Sequence, residues 1–359
     1  MRITTNMMFN QLTKSLHGSM SDIAELNTRL FTGKKINKPS DDVIGSVNAM
    51  DYKVNINANE QFQRNIDAAS VYLDFNDKSM TSISDSMSKL KAISYQAVNQ
   101  QQQADRDVFA QQAADYRDFL LTVANSKIGE RYMFSGYRTD QKAFAFNAAT
   151  NHYDYNGDFG EIKVQFDKEV NMAVNVQGSR VFSVPLSKSL PAALFDGTPV
   201  SYTEAADPVT GVTTVTVAIG NAGDPDYDTF TYSNVMDMAN IMSAAWQYKN
   251  IDGADLNADP TLNETIAMHR IKALSVPFDD ANKQVLTIQA EVGTRQSEFK
   301  DQTTKLDNST LTLQNALAKT EDADMTETIV DIQQAQTALE ALRSSSATLL
   351  SQSLFDFLK

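Results

Sequence analysis

Side chains able to do chemistry are few in this chain and badly spaced for it. Histidine occurs only at His17, His152 and His269, and cysteine is absent. No two histidines lie four apart, the spacing a helix-borne metal pair requires, and a structural zinc centre needs four nitrogen or sulfur ligands. Without cysteine there are no thiolate nucleophiles and no disulfides. The neighbouring carboxylates Asp41 and Asp42 could be read as an acid–base pair. They follow Pro39 and Ser40, however, and a helix start explains them: Ser40 can cap free N–H groups, and negative charge suits the positive end of a helix dipole. The runs GDPDYD (223–228) and NADP (257–260) offer carboxylates to calcium. They lack the alternating ligands and closing Glu of a calcium loop. Glycine-rich phosphate loops and the nucleophile elbow of hydrolases are missing. The expectation is a protein with no catalytic residue, no metal and no cofactor.

Charge narrows the partners. The 359 residues carry a formal net charge of -14. A nucleic-acid binder draws its affinity from a basic field, and the densest basic cluster here is Lys34, Lys35 and Lys38. Nucleic acid is therefore not an expected partner. No apolar run reaches the roughly 18 residues of a membrane span, so no membrane insertion is expected. The opening MRITTNMMFNQLTKSL has no apolar core of the kind a cleaved secretory signal carries.

The elements behind these residues are long helices. Phe9, Leu16, Ile23 and Leu30 recur every seven residues, with Leu12 and Leu26 three positions after two of them. They predict a helix from about residue 6 to residue 30, stopped by Gly33. Val43, Val47, Met50 and Val54 continue at 4-3-4 spacing. A second long helix is expected over about 59–128, with Ile66, Leu73, Met80 and Met87 seven apart and a weak point near 98–103. Short alternating runs at 162–166, 172–176 and 212–220 read as strands in a β-rich insertion of about 140–230. Helix returns over 231–275. A last long helix is expected from about Asp279, carrying Val285, Val292, Phe299 and Leu306, with a break at KTEDAD that Thr320 or Asp322 can cap. Met325, Ile329, Ile332, Leu339, Leu342 and Leu349 then carry the stripe into SLFDFLK.

The fold class that follows is α+β. A long antiparallel helical rod is built from both chain ends, and a β-rich domain is inserted between them. Neither terminal stripe can be buried alone, so the two ends are expected to lie side by side.

The runs MRITTNMMFNQL, RLFTGKKINKPSDD and ALRSSSATLLSQSLFDFLK together resemble the flagellin-type proteins of bacterial flagella. MRITTNMM, GERYMFSGYRTDQKAF (129–144) and the ending SLFDFLK are similar to the hook–filament junction branch of that family rather than to filament subunits. The resemblance implies terminal polymerisation helices at 1–35 and 325–359. Between them it implies the two halves of the rod at 36–140 and 279–324, an outer domain at 141–230 and a helical return at 231–278. It assigns subunit and helix-seam contacts to Phe9, Leu12, Leu16, Ile23, Leu30, Met325, Ile332, Leu339, Leu342, Leu349, Leu354 and Phe357. It also implies secretion by the flagellar type III route and a place at the hook–filament junction. The implied partners are further copies of the chain in a ring, hook-associated protein 1, flagellin, and an export chaperone on the C-terminal helices. Two other readings are a filament subunit and an extracellular adhesin or enzyme on a helical stalk. The second of these would need a cleft with perturbed titratable groups in 140–275.

Overall fold

The computed structural model describes residues 5–97, 103–184, 192–194, 196–206 and 213–357. Among these lie seven helices and nine strands, which fall into two compact units. One unit combines residues 1–61 with 304–359, and the other is 62–303.

The first unit begins with α1 (Thr5–Thr32). Gly33 ends it with a φ of +69°, and its N–H donates to the Arg29 carbonyl at 2.8 Å. A left-handed residue at this point is what a glycine tolerates without a steric penalty. Beyond it the chain pairs with the far end of the sequence. Lys35 N donates to Glu321 O at 2.8 Å, Ala323 N donates to Gly33 O at 2.9 Å, and Lys34 forms an antiparallel bridge with Asp322. These bonds put the end of α1 beside the start of α7 (Met325–Phe357). The two helices pack along one another, and that junction makes them antiparallel.

α2 (Val43–Ala97) starts sixteen residues earlier than the heptad stripe suggested and runs unbroken through 59. Its cap is not Ser40 but Asp42, whose Oδ1 accepts from Gly45 N at 2.9 Å. Asp41 instead accepts from the N–H groups of Asn37 and Lys38, at 3.0 and 2.8 Å, and these bonds hold its carboxyl below the usual range. A Cβ at Gly45 would crowd the Asp42 carboxylate and lie 2.6 Å from Ile36 Cδ1, so both side chains would have to shift. At the other end of the unit, neither Thr320 nor Asp322 caps α7. Asp324 does, with Oδ1 accepting from Thr326 N at 2.8 Å and Glu327 N at 3.2 Å.

In the second unit α2 continues against α6 (Pro260–Glu321). Lys91 pairs with Asp279, Ser84 with Asn282 at 2.8 Å, Gln289 with Asp77 at 2.9 Å and Gln296 with Asp74 at 2.8 Å. As the α2 number falls the α6 number rises, so the helices are antiparallel. The heptad stripes meet here: Leu73, Met80, Leu90, Val285 and Val292 are all 0% exposed. α6 begins at Pro260, well before Asp279, and passes through Pro277. A proline inside a helix removes a hydrogen bond and reads as a boundary. Burial of Ile271, Leu274, Phe278 and Ala281 on either side of it holds the helix continuous. Pro260 itself suits the first helical turn, where Asp259 Oδ1 accepts from Thr261 N at 3.0 Å.

α3 (Gln103–Ala124) packs on α5 (Val235–Trp246), the Phe109 and Trp246 rings being 5.3 Å apart. Of the expected weak point at 98–103, residues 98–102 lie outside the described residues and Gln103 begins α3. The remaining strands form small antiparallel sheets: β1 with β2 (Lys127–Ile128, Arg131–Tyr132), β3 with β4 (Phe144–Asn147, His152–Tyr155) and β5 with β6 (Lys163–Gln165, Asn171–Ala173). A three-stranded sheet has the order β7 (Val200–Ala206), β8 (Thr213–Ile219), β9 (Asp228–Tyr232). Between β6 and β7 lies a short helix, α4 (Gly178–Phe182).

Candidate assembly surface

The terminal pair α1 and α7 holds the predicted contact residues in three different situations. Leu12, Leu16, Ile23 and Leu30 on α1 are half-buried, as are Leu339 and Leu342 on α7, and Ile332 is buried at 8% exposure. All seven lie on helices that pack along one another. Phe9 and Met325 are more open, 51% and 43% exposed. The side chains of Leu349, Leu354 and Phe357 lie outside the described residues.

Such a seam stays only half dry because two helices cannot enclose each other's stripe; a third or fourth element is needed. In this unit the buried apolar side chains, among the described residues, are Ile36, Ala49, Ile56, Leu306 and Ile332. Against that small set stand exposed apolar side chains on every helix of the unit, with Phe31 88% exposed and Met20 52%.

An ionic cluster that spacing could not have announced ties the unit together. Lys34 and Lys53 both reach the Glu321 carboxylate, each at 2.7 Å. Burial would raise the Glu321 pKa, but hydrogen bonds from Lys34 and Lys53 outweigh it and hold the carboxyl below its ordinary value. Lys53 and Glu321 are 268 residues apart. No local pattern links them; Lys34 reads as part of a solvated helix end until the far end of α6 is folded beside it.

The histidines do not converge. His17 is exposed on α1. His152 on β4 lies 3.2 Å from the buried carboxylate of Asp237, which also accepts from Tyr153 N at 2.8 Å and Ser233 N at 2.9 Å. The hydrogen bond with Asp237 raises the His152 pKa in spite of burial. His269 on α6 faces Asp196 at 3.3 Å, and Lys272 shares that carboxylate at 3.0 Å. Arg270 and Asp228 form a buried two-pronged pair, with Asn250 accepting a further bond from Arg270 at 2.7 Å. The His152–Asp237, His269–Asp196 and Arg270–Asp228 pairs join strands and loops to helices.

Comparison with known proteins agrees with this geometry. The bacterial flagellin N-terminal helical region matches residues 3–139, and the bacterial flagellin C-terminal helical region matches residues 277–358. Together they take in more than half of the chain, which belongs to the bacterial flagellin family. Flagellar hook-associated protein 3 of Escherichia coli strain K12 is 24% identical over the full length of both chains. That of Salmonella typhimurium is 27% identical over 53% of this chain and 60% of its own length. Among solved structures, the flagellar junction protein FlgL from Legionella pneumophila covers 77% of this chain and all of its own, with a TM-score of 0.54 at 20% identity. The shared fold is the pair of helical termini with β-rich material between them.

Proposed function

We propose that this chain is a structural subunit of the hook–filament junction of a bacterial flagellum. Its terminal helices assemble with other copies into a ring, and its role is mechanical rather than catalytic. The observation that carries the reading is the half-buried seam of α1 and α7, a pair that leaves large apolar side chains in water when the chain is alone. Apolar surface of that extent on an isolated chain is the mark of an association site. In this reading 1–35 and 325–359 polymerise, 141–230 faces outward, and the chain is exported unfolded before it assembles. Hook-associated protein 1 lies below it and flagellin above it, and an export chaperone covers the C-terminal helices in the cytoplasm. The relatives named hook-associated protein 3 favour the junction over the filament subunit.

Immunogold electron microscopy of intact flagella, with an antibody raised to residues 141–230, tests this directly. Gold confined to the boundary between hook and filament is the expected result. Gold along the whole filament would make the chain a filament subunit. A Leu16→Asp variant is expected to be secreted and to leave that boundary unlabelled, because a charge would be buried without a partner in the seam or the subunit contact.

A further inference from the structure

The first turns of α2 carry an apolar stripe that the terminal helices do not use. A helix turns 100° per residue, so Val43, Val47, Met50 and Val54 fall within an arc of about 60°. They are 66%, 54%, 63% and 65% exposed, and Ile44 beside them is 76% exposed. The opposite side of the same turns is the inward one, where Ala49 and Ile56 are 4% and 8% exposed and Tyr52 is half-buried. This stretch is therefore apolar on two opposite faces, and its own unit covers only one of them. A surface helix that closes a single core has one apolar stripe and a polar back. Two stripes mean two partners.

We propose that the Val43–Val54 face of α2 is one side of a head-to-tail contact between copies of this chain, separate from the α1–α7 seam. The inference rests on the reading of the chain as a self-assembling junction subunit. Three observations choose a second copy as the occupant. The stripe extends about 17 Å along the helix, and each of its four side chains is more than half exposed. A contiguous apolar face of that kind marks an association site on an isolated chain. The unit behind it buries few apolar side chains of its own among the described residues, so a contact there supplies stability that the unit lacks. The same unit also exposes unlike apolar groups elsewhere, Phe31 at the end of α1 and Ile329 and Val330 at the start of α7. A patch that meets a different patch of the next copy generates rings and helices, whereas a patch that meets itself stops at a dimer.

The absence of cysteine makes the contact directly readable. A Met50→Cys variant places a single thiol in the centre of the stripe. In the free chain that thiol is expected to react with a maleimide, and in assembled flagella the reaction is expected to be lost. A photo-crosslinker attached at this thiol is expected to capture a second copy of the chain, at a residue other than 50. Capture of a different protein, capture of position 50 by position 50, or undiminished reactivity in assembled flagella would each overturn the proposal. A Val47→Asp, Val54→Asp double variant checks the energetics. Both side chains are exposed, so the free chain keeps the melting curve of the wild type, while label at the hook–filament boundary is lost. Wild-type levels of label with the double variant would sink the second contact and leave the junction reading intact. Wild-type chain absent from the boundary would sink the junction reading itself.

Discussion

Helix α2 behaves differently along its length. Through 66–90 it has one buried stripe: Ile66, Leu73, Met80, Ile83, Met87 and Leu90 are all 2% exposed or less. Through 43–56 it has a thin inward face of Gly45, Ala49 and Ile56 and an outward apolar stripe left in water. The first stretch lies in the unit of residues 62–303, the second in the unit of the chain ends. One unit has a core comparable to that of a stable domain. The other has apolar material enough for a core but encloses little of it. The lesson is that hydrophobic periodicity reports what a helix can bury, and not whether the partner lies in the same chain.

The contrast can be attacked most strongly at the Arg270–Asp228 pair. Arg270→Ala leaves a buried carboxylate unpaired, and the expected cost is about 3–5 kcal/mol. The single tryptophan, Trp246, is 2% exposed and sits in the same unit. Its fluorescence during urea unfolding reports that unit, and the transition should move to much lower urea. A shift smaller than about 1 kcal/mol would mean the pair is not enclosed as described.

A matched pair of leucine truncations comes next. Leu73→Ala removes a 0% exposed side chain and is expected to cost about 2–5 kcal/mol. Leu16→Ala, at the half-buried α1 seam, should cost the isolated chain only about 1 kcal/mol, part of the value for full burial. Both are measured by denaturation, with helix content followed for Leu16. Equal losses would abolish the distinction between the two units.

Smaller effects lie at the ends of α7. Asp324→Ala removes the cap of its first turn, and the expected loss is about 1 kcal/mol of helix stability, seen as reduced helical circular dichroism with the Trp246 transition unchanged.

Two ionic groups, Glu321 and His152, should give pH dependences of opposite sign. Glu321 has a folded pKa below its ordinary value, so the stability it lends is present above that ordinary value and is lost as pH falls through the folded one. Its lysine partners are nearly half exposed, which limits the effect to less than about 1 kcal/mol. His152 has a folded pKa above its ordinary value. Its contribution is complete below the ordinary histidine value and is lost as pH rises through the folded one. Acid titration below pH 5 should weaken the Glu321 cluster with Lys34 and Lys53. A rise from about pH 6 to pH 8 should lower the melting temperature reported by Trp246, and His152→Ala should remove that second dependence.

Much of the helical architecture was legible in the residues. Seven-residue spacing identified the α2 stripe and its partner on α6, and Gly33 marked the end of α1 because few other residues accept a φ of +69°. The β3–β4 hairpin and strands β7 and β9 went unread although they alternate, as Phe230 and Tyr232 do between threonines on β9, because runs of four to seven residues carry a weak signal. The start of α6 was set too late, near Asp279, because packing on both sides of Pro277 keeps the helix continuous. Asp42 and Asp324 displaced the expected caps Ser40, Thr320 and Asp322. Several polar residues in each loop could cap, and which one does depends on the backbone that the tertiary bonds impose.

By itself, the order of residues determined the helices, their apolar stripes, and the absence of a basic field and of cysteine. Those are local periodicities and compositions, and they survive without knowledge of neighbours. Only the tertiary structure decided which apolar positions are enclosed and which remain open. It also brought Lys34 and Lys53 to Glu321 and set the Val43–Val54 face outward, because burial is a property of surroundings assembled from residues hundreds of positions apart.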